Sequence, residues 1–222
     1  MARNKHPEET KNLIIDTAAR LFMDQGYDHT SIQDIINHLG GLSKGAIYHH
    51  FKSKEEIMWE VAEKIYADSR DEIMKVCART DLNGKEKLKE IFRSSASHPA
   101  QKDMFSAAPD MLYNSQLLVL FLRGSVQKEA PEMIYGVLEE GIADGSIKTE
   151  YPKELSEVIM LLVNFWLNPM IYHCETEEMI KKIRFCQHLL QLMGLDIVDD
   201  SLISKLVEYV ALYNQNRQEQ NS

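Results

Sequence analysis

The chain has 222 residues, 44% hydrophobic and 27% charged, with 10 Gly and only 6 Pro, a composition that excludes collagenous, low-complexity and wholly disordered classes. Its formal charge of −9 excludes a polycation that coats nucleic acid indiscriminately, so any such contact is local. Three cysteines, Cys77, Cys174 and Cys186, are too few and too irregularly spaced for a disulfide framework or a CxxC site, which points to reduced thiols. The longest apolar runs, Leu117 to Leu122 and Val158 to Val163, fall far short of the ~20 residues of a membrane span. The expectation is a soluble, cytoplasmic protein with no membrane partner.

The charge is unevenly placed. Residues 1–54 hold seven Lys/Arg against six Asp/Glu, whereas the remainder holds 18 against 28. Five of the eight histidines (His6, His29, His38, His49 and His50) also fall in the first segment. Different partners for the two parts follow from this split.

Apolar periodicity reads helical throughout, so the fold class is all-α. A first helix opens at Pro7-Glu8-Glu9, with acids near the positive end of the helix dipole, carries a stripe of Leu13, Ile14, Thr17, Ala18, Leu21 and Phe22, and ends at Gly26. A second runs from Thr30 to about Leu39, with a capping-box pattern in Thr30-Ser31-Ile32-Gln33 and Ile32, Ile35, Ile36 and Leu39 on one face. Gly40-Gly41 stops it. A two-turn helix then starts at Ser43, with Leu42 stapled onto Ile47, and ends near Phe51. Ser53-Lys54-Glu55-Glu56 caps a long helix reaching Ile73 and Val76 that is placed to join two modules.

Beyond it, breaks at Asn83-Gly84, Pro99, Pro109, Pro131, Asp144-Gly145, Pro152 and Gly194 divide the chain into about six further helices. The most apolar is Leu155 to Tyr172, interrupted by Pro169. An amphipathic helix follows through Ile180, Ile183, Leu189, Leu190 and Met193, then a last one over roughly Ser201 to Tyr213. The polar tail Asn214 to Ser222 is expected to fray.

Thr30 through Lys54 has helix-turn-helix spacing, in which the short second helix enters the major groove by its N-terminal end. Its outward face carries Lys44, Gly45, Tyr48 and His49, with Ala46, Ile47 and Phe51 turned inward. Lys44 can donate to guanine or phosphate, Gly45 lets backbone approach the bases, and Tyr48 offers a ring to a thymine methyl and a hydroxyl to a phosphate. Thr30, Ser31 and Gln33 at one helix start, and Lys54 at another, are placed to hold phosphates. The plain alternative is a capped three-helix packing unit.

The stretch Thr30-Ser31-Ile32 and Ser43-Lys44-Gly45-Ala46-Ile47-Tyr48-His49-His50-Phe51-Lys52-Ser53-Lys54-Glu55-Glu56 resembles the DNA-binding domain of TetR-family transcriptional regulators, over about residues 8–60. The resemblance implies DNA contacts at Ser43, Lys44, Gly45, Tyr48, His50 and Lys54, with Thr30 on a phosphate. Gly40-Gly41-Leu42 looks one residue longer than the family's usual turn. By the same resemblance, residues 1–53 form the helix-turn-helix DNA-binding domain. Residues 54–222 form a larger helical domain that binds an effector and dimerises through helices near 155–172 and 177–193. The implied protein is a homodimeric regulator, most often a repressor, that leaves a palindromic double-stranded DNA operator when a small, mainly apolar effector binds.

Most Met and aromatic positions of the second part are core; Phe105 and Phe121, with Asn164, Trp166 and His173 as polar anchors, are the candidate effector-lining residues. His173-Cys174 and Cys186-x-His188 raise a metal- or thiol-responsive regulator as a rival, although the adjacent His49 and His50 diverge around a helix and make no metal pair. A helical ligand-binding protein or enzyme without DNA binding is a further rival. No GxSxG, HExxH, P-loop or GxGxxG pattern occurs, so the sequence offers no catalytic machinery, cofactor or metal site.

Overall fold

The computed structural model describes residues 7–42, 44–65, 67–107, 109–123 and 133–220, and among them it is all-helical. Helix α1 (Pro7–Gln25) ends where Gly26 takes φ 83°, a conformation open to glycine at little cost. Its buried arc is Thr10, Ile14, Ile15, Thr17, Ala18, Leu21 and Phe22. Leu13, expected in the stripe, falls just outside that arc and is 49% exposed. Helices α2 (Ile32–His38), α3 (Lys44–His50) and α4 (Lys54–Ile65) close a bundle over α1 around Phe22, Tyr27, Ile35, Leu39, Ile47, Phe51 and Ile57.

That core does not stop at the bundle. It runs on into Met104 of α7 (Pro99–Ala107), Met111, Leu117 of α8 (Ser115–Leu122), Met170, and Tyr213 of α12 (Asp200–Gln220). The first module is therefore seated on the second by continuous apolar packing, with Ile57, Met58 and Val61 of α4 belonging to both. The expected joining helix is described as two, α4 and α5 (Ala67–Cys77), with residue 66 outside the described residues.

A second core gathers α5, α6 (Gly84–Ser97), α9 (Gly136–Asp144), α10 (Pro152–Leu161) and α11 (Thr176–Leu192) around Leu88, Ile91, Leu138, Ile147, Ile159, Leu190 and Leu195. α6 and α9 approach so closely that a Cβ on Gly84 would lie 2.2 Å from the backbone nitrogen of Gly141. The crossing is secured by Gly84 N donating to Asp144 at 2.7 Å and by buried Lys87, whose ammonium donates to Glu140 and to the Cys77 carbonyl at 2.7 Å.

Two expectations are corrected here. The apolar helix expected over 155–172 ends earlier: α10 passes into a widened π turn over 162–166, and Asn168 then turns the chain into Pro169, its amide donating to the Asn164 carbonyl at 3.0 Å. Pro169 has no N–H to continue the ladder. The tail also stays helical to Gln220, because Tyr213 is buried at 3% exposure and Asn214 donates to the Cys174 carbonyl at 3.2 Å. The break expected at Pro131 lies outside the described residues.

Candidate nucleic-acid interface

The interface is built on the turn between α1 and α2. Ser31, not Thr30, caps α2: its hydroxyl accepts from Asp34 N at 3.1 Å, and the Asp34 carboxylate accepts from Ser31 N at 2.8 Å. The hydrogen bonds from Ser31 hold the Asp34 carboxyl below the usual carboxylate range. The capping box is thus Ser31–Asp34, one residue later than the sequence pattern suggested. Its carboxylate already occupies the helix start that was expected to hold a phosphate.

Thr30 faces the interior. At 1% exposure its hydroxyl donates to the Gly26 carbonyl at 2.8 Å and accepts from Gln25 Nε2 at 3.1 Å, which fixes the entry to α2 and leaves nothing for a phosphate in this conformation. Ser31 and Gln33 remain exposed, and Gln33 donates to Asn37 at 3.0 Å.

Gly40 and Gly41, at φ 62° and 111° with open space where a Cβ would stand, make the turn between α2 and α3. Ser43 lies outside the described residues. α3 then presents Lys44, Gly45, Tyr48 and His49 on its exposed side, while Ile47 at 0% and Phe51 at 3% anchor it in the core. Lys44 Nζ stands 5.8 Å from the Tyr48 ring centroid, so a cation and a ring project side by side. His50 is half-buried against the Phe51 ring, 6.4 Å between centroids.

Lys54 is also turned inward. Its ammonium donates to the Tyr27 carbonyl at 2.9 Å and lies 4.0 Å from the Tyr27 ring centroid, and burial pulls its pKa down. The expected phosphate contact is in this structure a clasp between α4 and the α1–α2 corner. Ser53 does cap α4, accepting from Glu56 N at 3.3 Å, but the Glu56 carboxylate takes the Lys52 N–H rather than that of Ser53.

The candidate effector-lining residues are engaged in separate packing contacts. Phe105 stacks on Tyr209 at 5.5 Å, Phe121 packs on Phe165 at 5.3 Å, and Trp166 meets Phe185 edge-on at 5.9 Å. Asn164 spends its amide on the Met160 carbonyl of its own helix, at 3.1 Å. His173 lies elsewhere, in a cleft beside Asp110.

Sequence reasoning missed Asp110, Arg217 and Lys182. Lys182 had a signal, since it interrupts the apolar face of α11 between Met179 and Ile183; its ammonium is buried without a hydrogen-bond partner, 3.2 Å from the Tyr172 ring centroid and 4.9 Å from that of Trp166. All three thiols are pushed up by burial, Cys186 to about 11. Among the described residues no three His, Cys, Asp or Glu side chains group as metal ligands, and no helix is long and apolar enough to cross a membrane.

A three-helix reader carried on a larger helical body, with an exposed seven-residue second helix after a glycine turn, defines a helix-turn-helix DNA-binding transcriptional regulator. Residues 14–61 match the model of the bacterial regulatory proteins of the tetR family. The HTH-type transcriptional repressor KstR2 of Rhodococcus jostii is 30% identical over 148 residues, 64% of this chain and 70% of that one. The KstR2 of Mycolicibacterium smegmatis is 30% identical over 153 residues, 67% and 73% of the two chains. The chain belongs to the TetR family of regulators and is not an enzyme. A transcriptional regulator from Cytophaga hutchinsonii, 18% identical, shares the fold with a TM-score of 0.55 over 94% of this chain and 96% of that one. A gamma-butyrolactone receptor, ArpA-like, 21% identical, does so with 0.53 over 96% and 99%.

Proposed function

We propose that the chain is a cytoplasmic, ligand-responsive repressor that binds a near-palindromic operator as a homodimer, with residues 1–53 as reader and 54–222 as the sensing and dimerising part. The observation that carries this reading is α3: Lys44, Gly45, Tyr48 and His49 stand exposed on a helix whose other side is locked into the core by Ile47 and Phe51. Ser31, Gln33, Ser43 and His50 are the further positioning contacts of this reading. Thr30 and Lys54 support it from behind.

Dimerisation is supported by apolar side chains that a monomer leaves in water on the two helices concerned: Val158 and Leu161 of α10, and Phe185 and Leu192 of α11, the last 72% exposed. Two-fold pairing there places two α3 helices on one side of a duplex, with half-sites about 34–36 Å apart or a multiple of that. The relatives named as repressors support repression as the outcome. The effector is a small, mainly apolar molecule, with Phe105, Phe121, Asn164 and Trp166 the lining candidates, and it acts through its difference in affinity for the DNA-bound and released conformations. Thiols whose pKa is raised, with Cys186 itself buried, favour such an effector over a thiol-sensing role.

Selection of genomic fragments by the purified protein yields the operator, and fluorescence anisotropy on it tests the reader. Lys44→Ala and Tyr48→Ala weaken binding at least tenfold with the dimer intact, and Lys44→Ala flattens the salt dependence because fewer counterions are displaced. Wild-type affinity in both variants refutes the assignment of α3.

A further inference from the structure

Where the segment between α10 and α11 lies against α11, a cation is left with nothing to bond. Lys182 is only 8% exposed, and its ammonium has no hydrogen-bond partner. What surrounds it is aromatic: the Tyr172 ring centroid lies 3.2 Å away and that of Trp166 4.9 Å away. Exposed Glu178, one turn earlier on α11, acts on it electrostatically but makes no hydrogen bond to it, and burial still pulls the Lys182 pKa down. Trp166 is presented by the widened turn over 162–166, a kind of helical irregularity that recurs at functional sites, and is braced edge-on by Phe185 at 5.9 Å.

Ring faces attract an ammonium but satisfy its three N–H groups poorly, and a buried charged donor without an acceptor is costly. The acceptor that best offsets that cost is a carboxylate, which supplies the opposite charge and the hydrogen bond together. One ammonium neutralises one negative charge, so the matching ligand is a monoanion. The place it would take is filled by the Tyr172 ring. That side chain is 47% exposed and stands on an irregular stretch outside both helices, so it can swing away without unmaking either one. Its departure leaves a ring-sized space beside the ammonium, which sets the size of what enters.

We propose that Lys182 anchors the carboxylate of a small monoacid bearing one apolar ring, with Trp166 as the wall of the site and Tyr172 as a cover that the ligand displaces. The inference rests on the reading of Trp166 as an effector-lining residue and gives that effector its charged end.

Cyclohexanecarboxylate, transparent where tryptophan absorbs, and cyclohexanecarboxamide test it on the full chain at constant ionic strength. The chain has two tryptophans, so Trp59→Phe leaves Trp166 as the reporter. The acid changes Trp166 emission saturably, and the neutral amide binds at least about tenfold more weakly, the worth of one charge-assisted contact. In the same background Lys182→Met, which keeps the buried chain without its charge, weakens acid binding by at least about tenfold. Tyr172→Ala, which removes the cover, tightens it by about threefold or more. Circular dichroism confirms that each variant is folded, and if Lys182→Met is not, the preference for acid over amide and the gain in Tyr172→Ala decide. Operator release is followed separately by anisotropy. Saturable binding at Trp166 without release supports this site and refutes its effector role, whereas release without any change at Trp166 overturns the site alone. Equal response to acid and amide, no tightening in Tyr172→Ala, or wild-type affinity in folded Lys182→Met overturns the proposal.

Discussion

Replacing Gly84 by alanine tests how tightly the second core is drawn together. The new Cβ would stand 2.2 Å from Gly141 N, 2.3 Å from Gly141 Cα and 2.8 Å from the Val137 carbonyl oxygen. Carbon contacts begin to be favourable near 3.5 Å, and every obstructing atom is main chain, so no rotamer change relieves the overlap. α6 and α9 must part by about 1 Å, which loosens Leu88 and Leu138, both at 0% exposure, and draws Gly84 N away from Asp144. Overpacking of this kind costs ~1–3 kcal/mol. Restricting the unfolded chain returns about 0.4–1 kcal/mol. With backbone on both sides the net expectation is a loss of about 2 kcal/mol, or a fall in Tm of about 4–8 °C for a chain of this size. Urea and thermal unfolding followed by circular dichroism, at one protein concentration so that any self-association is held constant, measure it. Gly136→Ala is the control: its Cβ meets nothing within 4 Å, so it is neutral or stabilises by up to about 1 kcal/mol. A Gly84→Ala protein as stable as wild type would show that the crossing has slack and that the close-approach argument is wrong.

The buried Lys87 gives an asymmetric pair: Glu140→Gln, which strands the ammonium on the Cys77 carbonyl, lowers stability by about 1–2 kcal/mol, whereas Lys87→Met is close to neutral in the same urea titration. Lys54→Met loses the Tyr27 clasp and about 1 kcal/mol of stability with operator affinity nearly unchanged, the reverse of Lys44→Ala. A large loss of affinity on Lys54→Met without loss of stability would return that residue to the DNA face. Asp34, Asp144 and Asp199 have folded pKa values below the ordinary carboxylate range. Their stabilisation is complete above about pH 5 and is lost as pH falls through those values, so Tm declines on acidification and Asp144→Asn declines less. Cys186, with its thiol pushed up to about 11, resists alkylation by iodoacetamide at neutral pH in the native protein and reacts once unfolded, as read by mass spectrometry.

The sequence by itself determined what depends on neighbours along the chain. Helical periodicity, the glycine stops at Gly26 and Gly40-Gly41, and the inward Ile47 and Phe51 opposite Lys44, Tyr48 and His49 all follow from spacing on one helix, where position settles which face is apolar. Tertiary structure decided where a side chain has two plausible partners. Thr30 and Lys54 look like phosphate ligands until the corner at Gly26 and Tyr27 folds beneath them and offers carbonyls and a ring at hydrogen-bond range. The polar tail reads as frayed until Tyr213 finds the reader's core, and the Asp110 carboxylate comes within reach of His173 and Arg217 only because segments distant in sequence meet there. Local pattern fixes faces and ends of helices; which buried donor meets which acceptor is set by the packing of whole helices, which no short stretch encodes.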